Sequence, residues 1–319
     1  MKLSILFPET RNVERAIARI QQLERLGFHS AVMGHAFGFD PISVFALAGA
    51  RTERILLTTA VVPLFSRHPI AMAMAAATAQ AASRGRFRLG IGPSHAPIVQ
   101  HVYGLAYERP VRHVREYLAI VRELLQTGAT RFQGELYRVQ VQHAVDGGAG
   151  VPVLLSALAE QMCRAAGALA DGVLPWLAPA SYVASQIAPA LRAGARSAGR
   201  SAPPIVAENA CALSTDAAAV RESVRREMGF YLAMPAYRAL FERAGVPGAA
   251  EAHQTGWTDA MIEAVIPWGS EKQLGDAVQR YFDAGADEVV LSPVGVGSDP
   301  AASCERTLEL LGEIARGSG

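Results

Sequence analysis

Cysteine is scarce: Cys163, Cys211 and Cys304 are the three in 319 residues, far apart and with no CxxC pair. That spacing offers neither a disulfide framework nor a thiolate metal site, and the three read as buried thiols acting as small hydrophobes. No HExxH or other metal-ligand spacing occurs, and the eight histidines are scattered. Charge of one sign is also missing. With 30 basic against 29 acidic side chains the net charge is +1, which speaks against a nucleic-acid binder or an acidic tail. Lysine occurs only at Lys2 and Lys272, so nearly all the basic charge is arginine. Long hydrophobic runs are lacking too: Pro69 to Ser83 and Gly172 to Leu191 are too short or too proline-broken to span a bilayer. Only Met1 and Lys2 precede the first apolar run, with no charged leader, and the expectation is a soluble cytoplasmic protein without membrane or nucleic-acid partners.

What is present is a chain with 50% apolar residues, long enough for an ample core. Short apolar strands alternate with helical patterns. Leu3 to Phe7 reads as a strand, and Asn12 to Arg25 carries Val13, Ile17, Ile20 and Leu23 at helical spacing, with Gly27 as its C-cap. Ser30 to Met33 is a second strand, followed by a helix over Pro41 to Gly49 with Asp40 as N-cap. Ile55 to Val62 has the composition of a strand covered on both faces. An alanine-rich helix over His68 to Ser83, a strand over Arg86 to Ile91 and a long helix over Arg109 to Gln126 come next. A hairpin is expected around Gln133-Gly134, then strand–helix pairs through Val151–Leu155, Glu160–Leu169, Gly172–Leu174 and Tyr182–Ala195. After a strand at Ile205–Leu213, a mostly helical stretch from 216 to 265 exceeds one crossover; Glu271–Ala284, Glu288–Leu291 and Ala301–Ile314 close the chain. About eight such units without internal repeat fit an α/β fold of the (β/α)8 TIM-barrel type: one domain over 1–319 with a helical insertion at about 216–265. A doubly wound sheet is the rival, but Gly90-Ile91-Gly92 lacks the third glycine of a dinucleotide fingerprint.

In a barrel, chemistry gathers at the carboxyl ends of the strands. The polar residues there are Glu9, His35 with Asp40, Ser66-Arg67-His68, Ser94-His95, Ser156 through Ala157, Leu158 and Ala159, and Trp176. Each has a plainer reading: Glu9 as a turn residue, Asp40 as a helix cap, His68 as a helix start. His95 stands out because the glycine-rich turn before it lets backbone approach a ligand closely.

Several of these stretches resemble one family. Thr58-Thr59-Ala60-Val61-Val62 through Ser66-Arg67-His68-Pro69 is similar to the third strand of the luciferase-like flavin and deazaflavin oxidoreductases. Arg84-Gly85-Arg86-Phe87-Arg88-Leu89-Gly90-Ile91-Gly92 resembles that family's most recognisable signature. Arg115-Glu116-Tyr117-Leu118 with Phe132-Gln133-Gly134-Glu135-Leu136-Tyr137 resembles its long helix and hairpin, and Ala170-Asp171-Gly172-Val173 and Gly285-Ala286-Asp287-Glu288-Val289 match later landmarks in order. The resemblance spans nearly the whole chain and is weakest from 216 to 265. It implies a TIM barrel, usually dimeric, with a redox cofactor at the strand carboxyl ends. It also implies a non-prolyl cis peptide at Ala60-Val61 behind the cofactor's tricyclic ring, with Val62 alongside. The cofactor phosphate would then meet backbone amides around Ser156 to Ala159, where a helix start favours an anion. Asp40, Ser94, His95 and Trp176 complete the implied cofactor residues.

The family contains both FMN-dependent monooxygenases and reductases that use coenzyme F420, a 5-deazaflavin. Gly92-Pro93-Ser94-His95-Ala96-Pro97, Glu9-Thr10-Arg11 and Gly38-Phe39-Asp40 resemble the deazaflavin branch, with His95 standing where relatives often carry a glutamate. Carbon in place of N5 means hydride exchange rather than oxygen activation, and a nearby group must handle the proton. His95 has the right kind of pKa, with Glu9 and His35 as alternatives. Three readings follow. The first is an F420-dependent oxidoreductase acting on a small organic substrate, the second an FMN-dependent monooxygenase, and the third a non-catalytic barrel relative.

Overall fold

The computed structural model describes residues 1–8, 12–35, 37–142 and 148–317. It begins with β1 (Leu3–Leu6), α1 (Val13–Leu26), β2 (Ser30–Met33), α2 (Pro41–Gly49), β3 (Leu56–Thr59), β4 (Val62–Pro63), α3 (Pro69–Ala82) and β5 (Phe87–Gly92). A π-turn at Ile98–Val102 leads to α4 (Pro110–Thr127) and a hairpin, β6 (Thr130–Gln133) and β7 (Arg138–Val141). Then follow β8 (Val153–Ser156), α5 (Glu160–Leu169), β9 (Gly172–Leu174), α6 (Ala180–Tyr182), a second π-turn (Val183–Ile187), α7 (Ala188–Ser197) and β10 (Val206–Leu213). Four helices fill the long insertion: α8 (Ala217–Leu232), α9 (Pro235–Arg243), α10 (Ala252–Thr255) and α11 (Asp259–Val265). The chain ends with β11 (Trp268–Gly269), α12 (Glu271–Asp283), β12 (Glu288–Pro293) and α13 (Pro300–Gly317).

Local chemistry sets the boundaries. Asn12 accepts the Arg15 N–H at the start of α1, and Gly27 closes that helix at φ 87°. Asp40 caps α2 by accepting the Ser43 N–H, with Pro41 in the first turn. Two expected elements are broken instead of continuous. The run Ile55–Val62 stops at Thr59 and resumes at Val62, around a cis peptide between Ala60 and Val61. The helix expected over Tyr182–Ala195 is interrupted by its π-turn. Cys163 and Cys211 are buried free thiols, and Cys304 is partly buried. No helix among the described residues is long and apolar enough to cross a membrane.

The main sheet runs in the order β11-β10-β12-β1-β2-β3-β5-β8-β9, with β4 as an extra partner of β5, and every pair in it is parallel. It curls until β9 and β10 face each other through isolated parallel bridges at Val173–Ile205 and Trp176–Glu208. There Glu208 N–H donates to the Pro175 carbonyl at 3.0 Å, and Leu177 N–H donates to the Glu208 carbonyl at 2.9 Å.

Side chains alternate across each strand, so the inside of the curl is layered. Ser4, Ser30, Thr58, Arg88 and Glu288 form a polar layer. Val32, Leu154, Leu174, Val206 and Val290 form an apolar layer above it. The family-like signature on β5 makes sense residue by residue. Arg86 donates to the carbonyls of Gly49, Thr52 and Ile55, satisfying the end of α2 and its loop. Phe87 and Leu89 enter the outer core, while Arg88 turns inward and grips Glu288 at 2.7 and 2.8 Å.

The other landmarks are scaffold as well. Buried Glu116 accepts the N–H groups of Glu135, Leu136 and Tyr137, pinning the β6–β7 turn to α4. Asp171 accepts from Val153 N–H and Asp287 from Ile205 N–H, tying neighbouring strands at their amino ends.

Candidate active site

A cleft of about 400 Å³ opens at the carboxyl ends of the strands. Its floor and one wall are made of small residues: Gly34 after β2, Ala60 and Val61 between β3 and β4, and Gly92 at the end of β5. Two glycines are required by packing. A Cβ on Gly90 would stand 1.9 Å from the Thr59 carbonyl oxygen, and one on Gly92 would stand 2.8 Å from Val61 Cγ2. Thr59 fixes the approach from its side, exchanging hydrogen bonds of 2.8 Å with the N–H and carbonyl of Gly90. The Gly-Ile-Gly run is therefore a close-approach device between strands rather than a phosphate loop.

The structure brings most of the sequence-derived residues together here. His35, Ala60, Val61, Ser94, His95, Ser156, Ala157, Leu158, Ala159 and Trp176 all line the cleft. Ser94 adopts φ 59°, a left-handed turn, at the bend that carries the chain from β5 to His95. The His95 ring lies 5.7 Å from that of Tyr237 and 6.4 Å from that of Phe230, and burial lowers its pKa.

Ser156 ends β8, and α5 begins after Ala159, whose side chain provides no cap. The first backbone N–H groups of α5 are thus left for an anion. Glu160, the one acid in that first turn, is paired with Arg164 at 2.9 Å.

Two residues fall elsewhere. Asp40 is set back from the cleft wall, where its carboxylate accepts from Ser43 and from Arg67 Nη2 at 3.0 Å and lies 4.0 Å from His35 Nδ1. Burial alone would raise its pKa, but Ser43 and the Arg67 guanidinium outweigh that and hold it below the usual range. Val62 is fully buried in the outer core. Glu9 lies outside the described residues.

Sequence reasoning missed several cleft residues. Phe37, Tyr103 and Tyr107 come from loops after β2 and β5. Glu208, 4% exposed, enters from β10. In the sequence it is one acid, next to the polar Asn209, inside the strand run from Ile205 to Leu213, and nothing there tells which face it takes. The insertion supplies Phe230, Tyr231, Ala236 and Tyr237, so its aromatic residues do reach the cleft.

With this geometry in hand, likeness to known proteins is informative. Residues 1–288 match the sequence profile of the luciferase-like monooxygenase family. The 5,10-methylenetetrahydromethanopterin reductase of Methanolobus tindarius is 26% identical over 299 residues, 87% of this chain and 90% of that protein. The F420-dependent glucose-6-phosphate dehydrogenase of Nocardia farcinica is 28% identical over 275 residues, 82% of this chain and 80% of that one. Among solved structures, the F420-dependent tetrahydromethanopterin reductase of Methanopyrus kandleri superposes with a TM-score of 0.82 at 22% identity, over 98% of this chain and 97% of that one. This likeness extends the α/β description to the parallel architecture of the luciferase-like barrels. The chain belongs to the luciferase-like monooxygenase family.

Proposed function

We propose that this protein is an F420-dependent oxidoreductase that moves a hydride between the deazaflavin and a small organic substrate. One observation carries the reading. A wall of small residues (Gly34, Ala60, Val61, Gly92) and the uncapped start of α5 border the same cleft, as a flat ring with a phosphate tail requires. Support for the deazaflavin over FMN comes from the relatives whose names state F420 dependence. When bound, the cofactor supplies a carbon that gives or takes hydride. The chain's own residues do the rest: Ala60 and Val61 back the ring, and the N–H groups from Leu158 into α5 hold the phosphate. His95 exchanges the proton that accompanies the hydride, and the aromatic residues of α8 and α9 exclude water.

We also read the curled sheet as a closed (β/α)8 barrel, supported by the bridges between β9 and β10. The active form is a homodimer paired through the alanine-rich α3, where Met74 is 51% exposed beside Leu47 of α2 at 49%. Light scattering that reports the mass of one chain overturns the dimer. The central test is side-by-side titration of the protein with F420 and with FMN, followed by absorbance. F420 is expected to bind the more tightly, and Ala60→Phe is expected to abolish binding while the circular dichroism of the fold survives. Preference for FMN, or wild-type affinity in Ala60→Phe, removes the reading.

A further inference from the structure

Glu208 stands two residues beyond Val206 on β10, hence on the inner face of the curl, at the boundary between the apolar layer and the cleft. Its Oε1 is buried without a hydrogen-bond partner among the described residues. The cation that acts on it, Arg88, makes its hydrogen bonds elsewhere: Nη1 and Nη2 bind Glu288 at 2.7 and 2.8 Å, and Nε binds Thr58 at 2.8 Å. Glu288 adds a second carboxylate nearby. Burial first, and then Glu288, push the Glu208 pKa up to about 8. A neutral carboxylic acid has one O–H to donate, and a buried donor without a partner is costly. Oε1 has no such acceptor among the described residues, and Glu208 faces the cleft.

The cleft narrows what that acceptor belongs to. No lysine or arginine lines it among the described residues, and the α5 amides are assigned to the cofactor, so no cationic side chain described there balances a phosphate or carboxylate on the substrate. Its upper walls are aromatic, with Trp176 and Tyr231 5.7 Å apart and Tyr231 and Tyr237 5.1 Å apart. We propose that Glu208 anchors the substrate by donating its O–H to a carbonyl or hydroxyl oxygen of an uncharged, largely apolar molecule. This rests on the oxidoreductase reading and gives the substrate class for the same cleft.

The groups facing Glu208 keep the pH test clean. Glu288 from β12 and Arg88 from β5 form a buried pair, and Tyr231 from α8 and Tyr237 from α9 have pKa values pushed well up by burial. Of the two cleft histidines, His95 has its pKa lowered, and His35 lies beside the Asp40 carboxylate.

The probes are acetophenone, with 4-acetylbenzoate and benzylamine as charged counterparts. Binding is read by quenching of Trp176 fluorescence in the full chain, with and without F420, and with Trp176→Phe as baseline. Acetophenone is expected to bind in preference to both charged probes. Its affinity should fall on the order of thirty-fold between pH 6.5 and 9.5, as the acid ionises. Glu208→Gln keeps an N–H donor, so it should stay within about threefold of wild type and lose the pH dependence, whereas Glu208→Leu should lose about tenfold. Affinity that rises with pH, preference for benzylamine or 4-acetylbenzoate, no binding of acetophenone, or indifference to Glu208→Leu each overturn the proposal. F420 titration of the same proteins separates the two levels. If F420 binds wild type and both variants alike while acetophenone ignores Glu208, only this inference fails; if F420 fails to bind wild type, the cofactor reading fails instead.

Discussion

Burial, more than any charged neighbour, governs His95. The rings of Phe230 and Tyr237 replace water around it, which disfavours the imidazolium and leaves a neutral base at pH 7. In the direction of substrate oxidation, a neutral imidazole is the form that accepts the proton. His95→Ala is therefore expected to lower turnover by roughly 10²–10⁴-fold, the usual range for general acid–base catalysis, with F420 affinity little changed. Turnover of the wild type in that direction should decline as pH falls through a midpoint below the ordinary histidine value of 6.5. A variant whose cofactor affinity drops while saturating turnover survives would make His95 a cofactor ligand. If neither changes, His35 is the next candidate, because Asp40 stands 4.0 Å behind its Nδ1. Residues such as His95 and Ser156 were legible in the sequence because they follow strands directly, and a parallel architecture dictates where strand ends point. Glu208 was not, since it sits within a strand, and only the three-dimensional register shows that position to be the last inward one below the cleft.

The insertion from α8 to α11 shows how an element can be foreseen in outline but not in detail. Its length marked it as more than a crossover. The structure joins its apolar residues to the main core: Trp257 donates its Nε1–H to the Met228 carbonyl at 2.9 Å and packs its ring 5.4 Å from Phe241. Arg225 reaches the Trp257 carbonyl at 3.0 Å. This inner packing leaves Phe230, Tyr231 and Tyr237 free to face the cleft, with Phe230 still 51% exposed at its mouth. On the proposed reading the insertion serves the substrate side, while the wall of small residues and the start of α5 come from the strand ends of the main sheet. Replacing Phe230 and Tyr237 together by alanine is expected to raise KM for the substrate at least tenfold and to broaden the accepted substrates, with F420 affinity within about threefold. Equal loss of both affinities, measured by parallel titrations, would make the segment a packed helical unit with no special link to the substrate. Strand and helix order was legible from hydrophobic periodicity and caps. The interruption after Thr59 was legible only through the family resemblance, which implied the cis peptide at Ala60-Val61; the π-turn at Val183–Ile187 was not legible, since its residues have ordinary local preference and tertiary packing decides it.

At the scale of the whole molecule, one buried network crosses the inside of the curl. Arg88 on β5 meets Glu288 on β12, 200 residues later, while Ser4 on β1 donates to Glu288 at 2.6 Å. Ser30 on β2 and Thr58 on β3 share a hydrogen bond of 2.8 Å, and Thr58 accepts from Arg88 Nε. Five strands are thus joined through side chains as well as through the sheet. Burial would raise the pKa of Glu288, but the hydrogen bonds and charge of Arg88, with Ser4, outweigh it and hold it below the usual range. The pair therefore stabilises the fold above the unfolded carboxyl's pKa of roughly 4.3, and this contribution is lost as pH falls through the lower folded value. Arg88→Met inverts that relation. It leaves a buried carboxylate without its partner, raises the folded pKa of Glu288, and makes the variant's deficit largest where Glu288 must ionise. The expected loss at pH 7 is about 3–5 kcal/mol, read from urea denaturation, and the gap to wild type should narrow towards pH 4. Adding Glu288→Leu to Arg88→Met should recover most of the loss at pH 7, since an apolar pair of similar volume has no charge to desolvate. A deficit of the same size at both pH values, or no recovery in the double variant, would mean that Arg88 contributes through packing of its stem and not through the pair.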